Sequence, residues 1–329
     1  MRRETDVAIV GAGPCGLAAA IAMKAAGLDA LVLDAGCVVS SIVGYPTYMT
    51  FFSTAEKLAI GGLPFVVAAE KPTRRDALAY YRAVVEHFDL DVRQYERVHS
   101  VERGGRGFVL CSRRRDGSEH ATEARAVVIA TGYFGTPNRL GVPGEELPHV
   151  THVFRDGHEA FQQDAVVVGG GNSAVEVALE LYRARARVTL VHFATVLDRG
   201  VKPWVLPDIT NRIAEGAIAV RWSSRVTAIE PTAVMLQSEA GTERLRADLV
   251  YLMTGYTPAS ELLSRLGVRI DGDTGIPAHD PATMETDVPG VFIAGVLAAG
   301  YDANKIFIEN GRDHGGRIAS ILARRDRDG

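Results

Sequence analysis

Asp6-Val-Ala-Ile-Val-Gly-Ala-Gly-Pro-Cys-Gly-Leu17 is the stretch that decides the fold of this chain. Val7 to Val10 form an unbroken apolar run, the pattern of a parallel strand buried on both faces. Gly11, Gly13 and Gly16 then space out as G-x-G-x-x-G, and an Ala-rich helical run follows from Leu17 to Met23. Gly11 permits a tight turn, Gly13 lets backbone approach a pyrophosphate, and Gly16 lets the helix pack close to the strand. The helix N-terminus directs N–H groups and partial positive charge at an anion. The next strand, Ala30 to Asp34, ends in an acid 18 positions after Gly16, where a carboxylate can accept hydrogen bonds from an adenosine ribose. Cys15 departs from the plain motif by placing a thiol at the mouth of the helix.

The pattern recurs at Ala165-Val-Val-Val-Gly-Gly-Gly-Asn-Ser-Ala-Val-Glu-Val-Ala-Leu-Glu-Leu181, with Gly169, Gly171 and Ala174 as G-x-G-x-x-A and Asn172 and Ser173 opening the helix. The strand after it, Arg187 to His192, ends without Asp or Glu. An acid there would bond the free 2′-hydroxyl of NADH. Its absence, with His192, Arg199 and Lys202 nearby, favours the 2′-phosphate of NADPH.

Each dinucleotide motif is followed by an apolar strand closing in Thr-Gly: Ala126-Val-Val-Ile-Ala130-Thr131-Gly132 and Asp248-Leu-Val-Tyr-Leu-Met-Thr-Gly255. Small residues at a strand end allow close approach of a ligand. Between these landmarks the spacing predicts a helix from Arg74 to Phe88, a strand from Asp91 ending near Val98, and a hairpin of Phe108–Ser112 and His120–Thr122 turning at Asp116-Gly117. Residues 38–72 lack a period but hold Tyr45, Thr50, Phe51 and Phe52, and are expected to wall the reactive end of a cofactor. A C-terminal helix is expected from Lys305 to Arg324.

At 329 residues the chain is long enough for two domains. Its net charge of −4 gives no reason to expect nucleic acid or an anionic membrane, and no apolar run reaches the length of a membrane span. The N-terminus enters the first strand directly, so a cytoplasmic protein without a signal peptide is expected. Cys15, Cys37 and Cys111 are too few and scattered for a disulfide framework, and no His or Cys spacing predicts a metal site.

Two dinucleotide motifs are most simply filled by a flavin in the first and a nicotinamide in the second, with hydride passing to the flavin and electrons on to a second substrate. On the flavin side the candidates, besides Cys15, are Gly11, Gly13, Pro14, Gly16, Asp34 and Ala35, then Tyr45, Thr50, Val98, Ala130, Thr131 and Gly132. On the nicotinamide side they are Gly169, Gly171, Asn172, Ser173, Ala174, His192, Arg199, Lys202 and Gly255.

The order of these motifs, closing with Pro289-Gly-Val-Phe-Ile-Ala-Gly295, resembles the flavoprotein reductases with two dinucleotide domains, and the low-molecular-weight thioredoxin reductase group in particular. The resemblance implies an α/β fold of two Rossmann-like domains. An NADPH domain, 136–255, is inserted into a discontinuous FAD domain, 1–135 and 256–329. It also implies a homodimer or larger assembly. Less generic stretches, among them Tyr45-Pro-Thr, Thr50-Phe-Phe-Ser, Lys202-Pro-Trp and Phe307-Ile-Glu-Asn-Gly-Arg-Asp-His-Gly-Gly316, resemble the bacillithiol-disulfide reductase family. That implies an FAD- and NADPH-dependent enzyme reducing the disulfide of a low-molecular-weight thiol, with a cysteine at the position of Cys15.

Two features depart from the wider thioredoxin reductase pattern. No C-x-x-C occurs anywhere, so a dithiol relay is excluded as that group builds it. Ala294-Gly295-Val296 stands where Ala-Gly-Asp is expected, yet Gly295 and Val296 remain flavin neighbours by position. The related reductases also imply that a helix N-terminus near Lys305 and Ile306 faces the flavin pyrimidine. Two roles stay open for Cys15: a nucleophile whose thiol pKa the helix dipole lowers, or a small residue filling space beside the pyrophosphate. The competing functions are a ferredoxin- or flavodoxin-type NADP reductase, a flavin monooxygenase, and an NADPH-responsive binding module without turnover.

Overall fold

The structure, a computed structural model, describes residues 2–105 and 107–328. The chain forms two compact units: Met1–Val43 with Met49–Thr136 and Thr257–Gly329, and Gly44–Tyr48 with Pro137–Tyr256. Segment Gly44–Tyr48, which carries Tyr45, therefore groups with the second unit.

The first unit is built on a seven-stranded sheet. Its central strands are Arg2–Val10, Ala30–Leu33 and Glu119–Ile129, all parallel. The hairpin strand expected at His120–Thr122 and the buried strand expected from Ala126 are one continuous strand. Its first half pairs antiparallel with Gly107–Arg114, and Val127 to Ile129 pair in parallel with Val291–Ile293. The strand expected to end near Val98 also differs. The chain breaks at Tyr95, which takes a left-handed φ of +56°, and a new strand, Glu96–Gly104, runs through Val98.

Helix Pro14–Ala25 is buried along most of its length, Leu17, Ala19 and Met23 completely. It packs against helix His314–Asp328 almost backbone to backbone: a Cβ on Gly315 would lie 2.4 Å from the Cα of Ala19. The single C-terminal helix expected from Lys305 is replaced by a 3₁₀ turn at Ala303–Lys305, one helical turn at Ile308–Gly311, and the long helix starting at His314. Asn310 bridges the first two by accepting from Phe307 N and donating to Lys305 O, and Arg312 donates to the carbonyls of Glu56 and Ala59. Three glycines within Gly311–Gly316 weaken helical continuity there. Helix Arg74–His87 forms as expected, opened by a capping box between Thr73 and Asp76.

In the second unit a five-stranded parallel sheet runs in the order Ala219–Arg221, Arg187–Val191, Asp164–Val168, Leu249–Leu252, Val150–Thr151. Side chains alternate between its faces. Val167, Leu190 and Tyr251 pack with Val175 and Leu179 of helix Asn172–Arg183. Val166, Val168, Val191 and Val250 pack with Val226, Ile229, Val234 and Leu236 from an antiparallel sheet of Arg225–Glu230, Ala233–Ser238 and Gly241–Arg246. Among the described residues no helix is long and apolar enough to cross a membrane.

Among the described residues Glu96 is the most enclosed carboxylate of the first unit, and it anchors the start of its strand. It is 0% exposed, accepts hydrogen bonds from Ser112 Oγ at 2.7 Å and Arg114 Nε at 2.9 Å, and has Arg93 at 3.6 Å. Burial alone would raise its pKa, but the bonds from Ser112 and Arg114 and the charges of Arg93 and Arg114 outweigh it and hold the carboxyl below the usual range. The stability this contributes is present above the ordinary carboxylate pKa and is lost as pH falls through the lowered one. Glu96→Gln is expected to lower unfolding free energy by about 2 kcal/mol at pH 7 and to flatten the acid limb of the stability profile, measured by urea denaturation from pH 7 to pH 3.

Candidate active site

Three strand ends meet at the first glycine turn. Gly11 N donates to Leu33 O and Ala130 N to Val10 O, each at 2.8 Å. Gly11 has φ +116°, and a Cβ there would lie 2.3 Å from Ala130 O. A Cβ at Gly16 would lie 2.0 Å from Gly11 O, so the helix is seated directly on the turn. Gly13 is the opposite case: a Cβ there would meet nothing within 4 Å. The open space lies at a 12-residue helix with Pro14 in its first turn, no side-chain cap and no acidic residue in its first turn. That is a cradle for a pyrophosphate, and the residues fit a dinucleotide. Asp34 accepts from Ala12 N and Gly36 N, both at 2.7 Å, tying the turn to the end of the second strand beside exposed Ala35. Glu96 N donates to Asp34 O, which brings the strand holding buried Val98 to the same strand end.

Cys15 sits where this turn meets the C-terminal segments. A Cβ on Gly311 would lie 2.9 Å from Cys15 Sγ and 3.2 Å from Ile306 Cγ2, and one on Gly295 would lie 3.1 Å from the sulfur. Cys15, Gly295, Ile306 and Gly311 are thus brought together, with Val296 adjacent in sequence. Ile306 joins them as part of an irregular segment, not at the N-terminus of a long helix. The helix dipole does not govern the thiol. A little of the residue's surface stays open, but burial pushes its pKa up to about 12, and the Asp313 carboxylate adds to the rise. Thr131 donates to Ala259 O, Gly132 has φ +75°, and Thr50 forms an isolated bridge to Thr73. Tyr45, expected by the flavin, belongs to the second unit.

His314, a histidine without metal-ligand spacing to any other, joins the Cys15 group through Gly295. Its Nδ1 accepts from Gly295 N at 3.2 Å, which requires an unprotonated nitrogen. Burial lowers its pKa to about 4; Arg317 and His279 add to the drop and Asp313 opposes it. The run of glycines around it was the available signal, since glycines so dense mark close backbone approach.

The second turn repeats the first. Gly169 has φ +142°, and a Cβ there would lie 2.4 Å from Met253 O and 3.1 Å from the Cβ of buried Ala174. Helix Asn172–Arg183 has no side-chain cap and no acid in its first turn, and Ser173 is exposed there. Asn172 donates to Gly200 O and accepts from Lys202 N, holding the loop of Arg199 and Lys202 at the helix N-terminus. Gly255 has φ +82°, and its carbonyl accepts from Asn138 N. His192 is buried beneath Gly170 and not at the surface where a 2′-phosphate would meet it.

Two measurements check this electrostatic picture. At pH 8, iodoacetamide is expected to modify Cys15 at least about tenfold more slowly in the folded protein than in urea, read by peptide mass spectrometry; equal rates would mean an accessible thiolate. The folded-state pKa of His314, about 4, lies below the ordinary 6.5, so the unfolded chain binds the extra proton between them. Stability should therefore decline as pH falls through that window, and less steeply in His314→Asn.

The chain matches the family model for pyridine nucleotide-disulphide oxidoreductases over residues 8–295. It is 45% identical to the bacilliredoxin reductase of Bacillus subtilis over 97% of both chains. The solved structure of bacillithiol disulfide reductase from Bacillus cereus superposes with a TM-score of 0.96 at 43% identity, covering 98% of this chain and 100% of that one. A ferredoxin–NADP reductase of Ignicoccus hospitalis is 30% identical over 88% of this chain and 89% of its own. Two glycine turns at parallel strand ends, each opening an uncapped helix, are what a flavin and a pyridine nucleotide require, and the chain belongs to the pyridine nucleotide-disulphide oxidoreductase family of flavoprotein oxidoreductases.

Proposed function

We propose that this protein is an NADPH-dependent, FAD-containing disulfide reductase whose acceptor is the disulfide of a low-molecular-weight thiol, bacillithiol disulfide. The observation that carries the reading is Cys15. A single thiol stands at the N-terminus of the first dinucleotide helix, packed on Gly295 and Gly311, in a chain without C-x-x-C. The name of the Bacillus cereus structure, a bacillithiol disulfide reductase, supports the choice of acceptor. On this reading the protein is cytoplasmic and works as a homodimer or larger homo-oligomer.

The first turn, with the open space at Gly13 and the uncapped helix N-terminus, would hold the pyrophosphate of FAD. Asp34 fixes the turn and would be the acid for the ribose of a bound FAD, and Gly295 and Val296 would be its neighbours from the C-terminal segment. The second turn, Gly169 to Gly171, holds NADPH with Asn172, Ser173 and Ala174. When bound, the flavin takes hydride from the nicotinamide and supplies the electron pair for disulfide reduction. Overall, NADPH, a proton and one disulfide give NADP⁺ and two thiols. Burial keeps the proton on Cys15 Sγ in the resting site. In exchange, Sγ bonds one substrate sulfur, the substrate S–S bond breaks, and the departing sulfur takes the Cys15 proton. Two electrons and two protons then restore the Cys15 thiol and release the second product thiol. A thiol with so high a pKa is a weak nucleophile, so substrate entry must relieve its enclosure before exchange.

The Ignicoccus relative favours one second reading, a ferredoxin-type NADP reductase that would not use Cys15 chemically. The two separate in one experiment. The yellow protein is reduced anaerobically with NADPH and mixed in turn with bacillithiol disulfide, glutathione disulfide and ferredoxin. Bacillithiol disulfide is expected to reoxidise it fastest, and Cys15→Ser is expected to lower that rate at least about 100-fold while flavin reduction by NADPH continues. Rapid reoxidation by ferredoxin alone, unaffected by the Cys15 replacement, would establish the second reading.

A further inference from the structure

The strand Arg187–Val191 leads into His192 and Phe193, at the position where a dinucleotide fold meets the 2′ substituent of adenosine. His192 does not present its ring there. It is 2% exposed, and a Cβ on Gly170 would lie 2.3 Å from its Cε1. Neither ring nitrogen finds a hydrogen-bond partner, and Nε2 is 3.4 Å from Asp198 Oδ1. The ring is a wedge beneath the glycine turn. Lys202 is tied through its backbone to Asn172, and Arg199 lies on the same loop, beside the helix N-terminus where a pyrophosphate binds.

What the strand end does present is Phe193, 59% exposed, with the Arg225 guanidinium 4.9 Å from its ring centroid. The pairing is braced by backbone. His192 N donates to Arg221 O, Ser224 N to His192 O and Ser223 N to Ala194 O, each at 3.0 Å, and Ser223 turns the chain with φ +50°. Arg221, four residues earlier, is committed to Glu243 through a bidentate pair at 2.8 and 2.9 Å. Among the described residues Arg225 forms no ion pair.

We infer that Arg225, stacked on Phe193, reads the 2′-phosphate and sets the preference for NADPH over NADH. The inference rests on the NADPH reading above and names a residue that the strand-end pattern of the sequence does not reveal. An arginine is charged at every working pH and offers a planar fork of donors that suits a phosphate. Stacking on an aromatic face holds that plane before the ligand arrives, which reduces the ordering needed on binding. Asp198 is the nearby acid that works against a phosphate; its Oδ1 lies 3.4 Å from His192 Nε2 and its Oδ2 lies against Gly171, at the glycine turn.

The test is calorimetric titration of the flavin-loaded enzyme with adenosine 2′,5′-bisphosphate and with 5′-AMP, which needs no disulfide or turnover. Arg225→Ala is expected to weaken the bisphosphate at least about tenfold and leave 5′-AMP within about twofold, with the NADPH-to-NADH ratio of kcat/KM falling by the same factor. Arg225→Lys, which keeps charge but not the planar stack, should fall between, and Phe193→Ala should lose about threefold on the bisphosphate alone. Equal weakening of both ligands would make Arg225 an adenine contact and overturn the inference, as would an unchanged preference for the bisphosphate. A wild-type enzyme that binds both ligands equally would overturn the NADPH reading as well; failure of disulfide reduction alone would leave this binding result intact.

Discussion

A side chain cannot exist at Gly11: its Cβ would sit 2.3 Å from the carbonyl oxygen of Ala130. That steric constraint places the first helix, the second strand end and the Ala-Thr-Gly strand end within contact of one turn. The second unit meets the same constraint independently, with Gly169 against Met253 O at 2.4 Å. In both units the backbone crosses a neighbouring strand end so closely that only hydrogen replaces a side chain, and the helix that follows begins without a cap. The orphan N–H groups that result are what an anionic ligand satisfies. Everything proposed about the flavin and the nicotinamide depends on that arrangement holding.

Cys15 shows how two opposing electrostatic effects are decided by enclosure. A helix N-terminus favours a thiolate, and its influence falls off within a turn. Burial disfavours any charge, and here it is reinforced by Asp313. The enclosure wins because Gly295 and Gly311 allow two backbone segments to close over the sulfur. The same closure strips solvent from His314 and keeps it neutral, able to accept from Gly295 N. The thiol and the imidazole are therefore both held uncharged by burial.

Elements whose signal is local were legible in the residues. Helix Arg74–His87 is amphipathic and capped by its own Thr73 and Asp76, so nothing distant is needed to define it. The turns at Gly11 and Gly169 were legible because their spacing is a backbone requirement. Elements that depend on partners were read less well. His120–Thr122 and Ala126–Ile129 looked like two strands because their first half faces a hairpin and their second half faces Val291–Ile293, distant in sequence. The break in the C-terminal helix was hidden because it is enforced by Asn310, Arg312 and the close approach of Gly315 to Ala19. Val98 lies in a strand whose start is set by a hydrogen bond to Asp34.

By itself, the sequence determined that two dinucleotide turns exist, that each opens a helix, and that no dithiol motif accompanies them, because glycine spacing and residue identity act over a few positions. Only the tertiary structure decided what those turns face. It buried His192 under Gly170, placed Arg225 over Phe193, moved Tyr45 to the second unit, and enclosed Cys15 with glycines from the far end of the chain. These are distances and burials between segments remote in sequence, and they set charge, exposure and reach, which residue identity does not encode.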